Sequence, residues 1–127
     1  MTDMGIYRTT IEVATLGQPD VRHRVDSIMV DTGSEYSWLP AELLADIGVV
    51  PVRTDRFETA DGRILERPVG YMMVFAGGRG APTVVAFAEP GDMALLGALA
   101  LEGMNLQVDL VRRALVPAGP LPAAAAA

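Results

Sequence analysis

Several residue types are absent or rare in this chain of 127 residues, and each absence excludes a class of chemistry. There is no cysteine, which excludes disulfides, thiolate nucleophiles and zinc sites built on thiolates. There is no lysine, and the arginines are scattered along a chain of net charge −6 and pI near 4.6. Nucleic acid is therefore not an expected partner. The chain has a single histidine, His23, and no serine or cysteine motif for which it could act as a catalytic base. We expect His23 on the surface of a strand.

Long apolar runs are also missing, although half of the residues are apolar. No run reaches the length of a membrane-spanning helix, and Met1–Met4 lack the basic and then apolar pattern of a secretory signal. We therefore expect no membrane partner and a cytoplasmic location. The length fits one domain. We place that domain at residues 1–117, because residues 118–127 are uncharged, rich in Pro and Ala, and expected to be disordered.

The patterning along the chain predicts a mostly-β domain with two short helices. The first helix is expected at 40–48, with Pro40 as its first residue and Gly48 as its C-cap. The second is expected at 98–103, where Gly103 would close it. Segments rich in β-branched or apolar residues and bounded by turn residues predict strands. These segments are 6–13, 21–30, 56–60, 63–67, 69–75, 83–88, 105–111 and 114–116.

One hairpin is predicted with particular clarity around Asp61-Gly62. This dipeptide suits a two-residue type I′ turn, and the segments on either side of it are predicted strands. An ordinary surface hairpin would show the same pattern.

The most informative motif is Asp31-Thr32-Gly33-Ser34, which follows the predicted strand that ends at Val30. It places one carboxylate at the end of a buried strand. The same four residue types also favour turns, so a purely structural turn after the strand is the alternative reading. Asp61-Gly62 and Asp92-Met93 do not repeat the motif, and the chain therefore carries one copy of it.

The residues after the motif, Tyr36-Ser37-Trp38-Leu39-Pro40, extend the resemblance of this region to the catalytic loop of aspartic peptidases. The chain resembles a retropepsin-like aspartic peptidase with a single motif, from about Ile6 to Val116. The resemblance implies an acid-protease barrel with one lobe per chain. Leu95-Leu96-Gly97, before the second predicted helix, resembles the apolar-apolar-Gly motif of that family, although any buried joint between a strand and a helix could show it.

The order of motif, hairpin and late helix also matches the family. The hairpin then stands where the family has its flap, and Thr59, Ala60, Asp61 and Gly62 would face the substrate. The chain departs from the viral pattern in three places, because Ser34, Glu35 and Ala98 stand where viral enzymes usually have Ala, Asp and Arg. Trp38 is expected in the core beside the motif.

The function implied by the resemblance is hydrolysis of peptide bonds in extended polypeptides by a homodimer. Asp31 of each copy would form a dyad that activates water. Gly33 would let a backbone N–H approach the carboxylate, Thr32 could bond across the two-fold axis, and Ser34 could bond the carboxylate itself. No metal or other cofactor is implied. The alternative is a non-catalytic module of the same fold that dimerises or binds peptide.

Overall fold

Within residues 6–124, which the computed structural model describes, the chain forms nine strands and two short helices. The elements are β1 (Tyr7–Ala14), β2 (His23–Val30), β3 (Ser37–Pro40), α1 (Ala41–Ile47), β4 (Arg53–Glu58), β5 (Ile64–Ala76), β6 (Arg79–Ala88), β7 (Leu95–Leu96), α2 (Ala98–Met104), β8 (Leu106–Asp109) and β9 (Ala114–Pro117). The predicted mostly-β class with two short helices is confirmed. The last residues of the predicted tail, 125–127, lie outside the described residues.

Seven strands form one sheet in the order β1-β2-β7-β3-β6-β5-β4, and β1 pairs with β5 as well. That additional pairing brings one edge of the sheet back towards the other, so the sheet curls into a partly closed barrel. The short strand β7 lies parallel to β2 and antiparallel to β3. It therefore stands between the strand that precedes Asp31 and the strand that follows it.

The core lies inside this curled sheet and is almost entirely aliphatic. Along β1 the residues Tyr7, Ile11 and Val13 are buried, as the alternation of a half-buried strand requires. Leu96 from β7 and Leu101 from α2 join the same cluster. The elements around Asp31 are thus packed directly on the main core.

Both helices are where the sequence places them, but their ends differ from the prediction. Pro40 is the last residue of β3 and only caps α1, because its ψ of 134° is extended and it still pairs with Ala88 of β6. Gly48 closes α1 in the left-handed conformation with φ 96°, as predicted. α2 is closed by Asn105 with φ 53°. Gly103 lies inside α2, where a Cβ would approach the Cβ of Ala81 to 3.1 Å.

The hairpin of β4 and β5 is present, but its turn is not the predicted type I′. A type I′ turn needs positive φ at both central residues, whereas Gly62 has φ 85° and Asp61 is not in the positive-φ region. The Gly62 N–H donates to the Thr59 carbonyl oxygen at 2.9 Å, and the Thr59 N–H donates to the Arg63 carbonyl oxygen. The loop is therefore one residue longer than predicted. The two strands expected after it are a single long strand, β5.

The last two strands, predicted at 105–111 and 114–116, pair with each other in a separate two-stranded sheet. Asn105 extends this unit, because its carbonyl oxygen accepts the Ala118 N–H and its side-chain amide donates to the Gly119 carbonyl oxygen. Arg113, with φ 52°, donates to the carbonyl oxygen of Ile6 at 3.1 Å. The start of the tail and the start of β1 are thus both attached to the β8–β9 region.

Candidate active site

The site is built around the loop that carries Asp31, immediately after β2. The Gly33 N–H donates to the Asp31 Oδ1 at 2.9 Å, which is the backbone contact expected for this glycine. A Cβ at position 33 would lie 3.1 Å from the same oxygen. The Ser34 N–H also donates to the Asp31 carbonyl oxygen at 3.2 Å. The loop therefore folds back on itself and turns one carboxylate oxygen towards its own backbone.

Backbone hydrogen bonds from β7 and from the start of α2 hold this loop in place. The Asp31 N–H donates to the Leu96 carbonyl oxygen at 2.9 Å, and the Ala98 N–H donates to the Ser34 carbonyl oxygen at 2.7 Å. The Leu99 N–H donates to the Glu35 carbonyl oxygen at 3.0 Å. Leu95-Leu96-Gly97 and the Asp31 loop, singled out separately in the sequence, are thus one hydrogen-bonded unit.

Gly97 sits where this unit is tightest. A Cβ at this position would lie 2.4 Å from the Tyr36 carbonyl oxygen and 2.8 Å from that of Glu35. Both atoms belong to the backbone, so only glycine fits without moving the chain. The Gly97 N–H donates at 3.0 Å to the hydroxyl of Ser37, which is buried. Ser37 is a structural residue that the sequence analysis missed.

The predicted hydrogen bond from the Ser34 hydroxyl to the Asp31 carboxylate is wrong. The hydroxyl donates to the Tyr36 carbonyl oxygen at 2.8 Å. The loop turns at this point and brings the backbone carbonyl two residues ahead within reach of the side chain. Thr32 is exposed, and its expected bond across a two-fold axis stays a prediction.

A groove of about 590 Å³ lies between the Asp31 loop and β4. The loop and β3 contribute Gly33, Ser34, Glu35, Tyr36 and Trp38, and β4 contributes Asp55, Arg56, Phe57 and Glu58. The predicted flap residues Thr59, Ala60, Asp61 and Gly62 lie beyond these, in the turn at the end of the hairpin. The first strand of the hairpin, and not its turn, therefore forms one wall of the groove.

The aromatic side chains of the groove contact one another. The Phe57 ring lies edge-on to the Trp38 ring, with centroids 4.8 Å apart, and edge-on to the Tyr36 ring at 5.6 Å. All three side chains are half-buried. Trp38 was expected in the core, but it faces the groove while its neighbour Leu39 faces the core, because consecutive residues of a strand point to opposite sides.

A polar network connects the same two walls at the base of the hairpin. The Tyr36 hydroxyl donates to Asp55 Oδ2 at 3.0 Å, and Arg53 Nε donates to Asp55 Oδ1 at 2.9 Å. Arg53 also donates to the hydroxyls of Tyr36 and Tyr71. The hydrogen bond from Arg53, followed by that from Tyr36, holds the pKa of Asp55 below its usual value. Asp55 therefore stays ionised, with its charge balanced by Arg53.

The turn of the hairpin has its own small network. Asp61 accepts a short hydrogen bond from the Thr59 hydroxyl and pairs with Arg63 at 3.2 Å. The Thr59 bond, followed by Arg63, lowers the pKa of Asp61. The Asp61 carboxylate is therefore bound within its own turn, by Thr59 and Arg63.

An ion pair of Arg67 and Asp92 connects the hairpin to the loop before β7. Arg67 Nε and Asp92 Oδ2 are 2.7 Å apart, and the two side chains are only 11% and 14% exposed. Asp92 also accepts the Glu89 N–H at 2.8 Å. The hydrogen bond from Arg67 lowers the pKa of Asp92. This pair fixes the segment that runs directly into Leu95-Leu96-Gly97.

Within 6–124 no group of three or more His, Cys, Asp or Glu side chains is placed to hold a metal. Neither helix, each of seven residues, is long enough to cross a membrane. His23 lies on β2, half-buried.

Comparison with known proteins finds similarity in structure. No family model matches this chain, and no curated protein matches it. Among solved structures, the chain is similar to the solution structure of the Simian Foamy Virus (mac) protease, with 21% sequence identity and a TM-score of 0.48. The similarity covers 74% of this chain and 92% of that chain.

Proposed function

We propose that this chain is one half of a homodimeric aspartic endopeptidase that hydrolyses peptide bonds of extended polypeptides. The observation that carries the proposal is the placement of Asp31. Its carboxylate stands at the end of β2, receives the Gly33 N–H, and belongs to a loop that β7 and α2 hold by backbone hydrogen bonds. These hydrogen bonds from a distant part of the chain hold the loop in one conformation, as a positioned catalytic carboxylate requires.

Hydrolysis without a metal or a covalent nucleophile needs two carboxyl groups with different protonation. An ionised carboxylate takes a proton from water while a neutral carboxyl protonates the carbonyl oxygen or the leaving nitrogen. Two carboxyls about 3 Å apart share one proton, because both cannot ionise cheaply. The chain has one Asp-Thr-Gly motif, so the second carboxyl in this account is Asp31 of a second copy, placed opposite the first by a two-fold axis.

The groove between the Asp31 loop and β4 suits an extended polypeptide. Its two walls are formed by a loop and a hairpin strand, and an extended peptide can lie between such elements through main-chain hydrogen bonds. In the proposal, the β4–β5 hairpin folds over the peptide as a flap and excludes water during the reaction.

The proposal is tested by cleavage of an unfolded protein and of a peptide library between about pH 3 and 7, where a dyad is singly ionised. Asp31→Asn should abolish cleavage. Asp46→Asn, which removes an exposed carboxylate on α1, should retain it. Cleavage unchanged in Asp31→Asn would overturn Asp31 as the catalyst. A well-folded dimer without any cleavage would favour the alternative, a module of this fold that dimerises or binds peptide without turnover.

A further inference from the structure

The groove between the Asp31 loop and β4 has aromatic walls and an excess of carboxylates. Asp55 is paired with Arg53, and Arg56 lies 3.9 Å from Glu66. The two remaining carboxylates of the groove are Glu35 and Glu58. Among residues 6–124, no arginine or histidine side chain lies within ion-pair distance of either of them.

The free carboxylates stand on opposite walls. Glu35 belongs to the loop after Asp31, and Glu58 ends β4. Both side chains are exposed at the edge of the groove. A positively charged group in the groove would therefore meet a carboxylate from either side.

The aromatic rings add a second attraction for the same kind of group. Tyr36, Trp38 and Phe57 are each half-buried and line the groove together. The faces of such rings attract cations, and guanidinium groups stack on them especially well. A long basic side chain also has an apolar stem that can cover ring surface while its charged end reaches the carboxylates.

We propose that this groove is a subsite that selects an arginine or lysine side chain of the bound polypeptide, with Glu35 and Glu58 as specificity-determining residues. This inference rests on the proposed function, because it takes the groove as the place where the polypeptide lies. It adds the chemical class of the preferred substrate: segments with a basic side chain near the position that enters the groove.

The chain carries its own probe for this subsite, because Trp38 is its only tryptophan. Peptides are titrated into the full-length Asp31→Asn protein, which should not cleave them, and the fluorescence of Trp38 is followed. Arginine is moved through each position of an otherwise Ala and Val peptide. Matched peptides carry citrulline, the neutral analogue of arginine, or glutamate at the same position.

At one position the arginine peptide should bind about threefold to tenfold more tightly than the citrulline peptide. Glu35→Gln and Glu58→Gln should each reduce this ratio, whereas Glu102→Gln, an exposed carboxylate on α2, should leave it unchanged. Added salt should also reduce the ratio, since exposed charges are screened. Equal binding of arginine and citrulline at every position would overturn the inference, and so would a preference for glutamate.

Cleavage by the wild-type protein separates this inference from the proposed function. If the wild type cleaves the library without a preference for basic residues, the subsite is overturned and the peptidase is not. The same conclusion holds if the wild type cleaves but peptides do not change the fluorescence of Trp38. A clear arginine preference in binding, with no cleavage by the wild type, would overturn the peptidase and keep the subsite.

Discussion

The backbone N–H of Asp31 donates a hydrogen bond of 2.9 Å to the carbonyl oxygen of Leu96. This contact joins the Asp31 motif directly to Leu95-Leu96-Gly97, next to the two hydrogen bonds that the start of α2 makes to the same loop. It means that the position of the proposed catalytic residue depends on a strand of only two residues, Leu95–Leu96, which is itself held between β2 and β3. Changes in this late segment should therefore affect the active site.

Gly97→Ala tests the tight contact behind the Asp31 loop. The new Cβ would lie 2.4 Å from the Tyr36 carbonyl oxygen, and the backbone would have to move, at a cost of about 3 kcal/mol in the free energy of unfolding. Urea unfolding measures this cost. Gly17→Ala is the control, because a Cβ there meets nothing within 4 Å. Equal stability of the two variants would contradict the packing described here.

Ser37→Ala removes the acceptor of the Gly97 N–H. Because this hydrogen bond is buried, we expect the unpaired N–H to lower the free energy of unfolding by about 1–3 kcal/mol. The control is Ser34→Ala, whose hydroxyl bonds the Tyr36 carbonyl oxygen in a half-buried position. A larger loss of stability in Ser34→Ala than in Ser37→Ala would contradict the role of Ser37 as the buried acceptor of the Gly97 N–H.

The ion pair of Arg67 and Asp92 predicts a dependence of stability on pH. Because the pKa of Asp92 is lowered in the folded chain, the unfolded chain binds more protons in acid. The contribution of the ion pair to the free energy of unfolding is fully present above the ordinary aspartate pKa of about 3.9. It is lost as the pH falls through the lower pKa that Asp92 has in the folded chain.

Arg67→Met should remove this part of the acid dependence and cost about 2 kcal/mol above that range, as the loss of a hydrogen bond between charged groups does. Urea unfolding at a series of pH values tests both statements. Arg24→Met breaks the exposed pair with Asp26 and should change stability little. An unaltered acid dependence in Arg67→Met would show that Asp92 is not the group responsible.

Phe57→Ala tests the contact between the hairpin and the wall of the groove. Its ring touches Trp38 and Tyr36, and each such contact contributes about 0.5–1.5 kcal/mol. The substitution should move the emission of Trp38 to longer wavelength, because the indole becomes more exposed to water. Phe75→Ala, which removes a ring stacked under Arg22, should leave the emission unchanged. A shift of the same size in both variants would mean that Phe57 does not shield Trp38.

The fold class and the main elements were predictable because apolar alternation and turn residues mark strands directly. The end of α2 was not. Gly103 looks like a C-cap in the sequence, but it is needed for close packing of α2 on Ala81, and Asn105 closes the helix instead. The turn at Asp61-Gly62 was also misjudged, because the Thr59 side chain and backbone close a longer loop.

The Asp31 loop and the late Leu95-Leu96-Gly97 segment could be found from their residue types, but the groove could not. Its walls come from parts of the chain that only the sheet order brings together. One sequence signal for the groove walls was available. Tyr36 and Trp38 are two positions apart, as are Asp55 and Phe57, and this separation puts the members of each pair on the same side of a strand. That two such pairs face each other is a property of the tertiary structure.

The most direct test of the central claim is to mix the wild-type protein with Asp31→Asn, at concentrations far above the dissociation constant of the dimer. If each active site needs Asp31 from two copies, adding an equal amount of the inactive variant to a fixed amount of wild type should reduce cleavage to about half once the subunits have exchanged, because mixed dimers are inactive. An unrelated inactive protein at the same concentration serves as the control for dilution of the substrate. Cleavage that does not change on mixing, while subunit exchange is shown independently, would contradict the shared dyad.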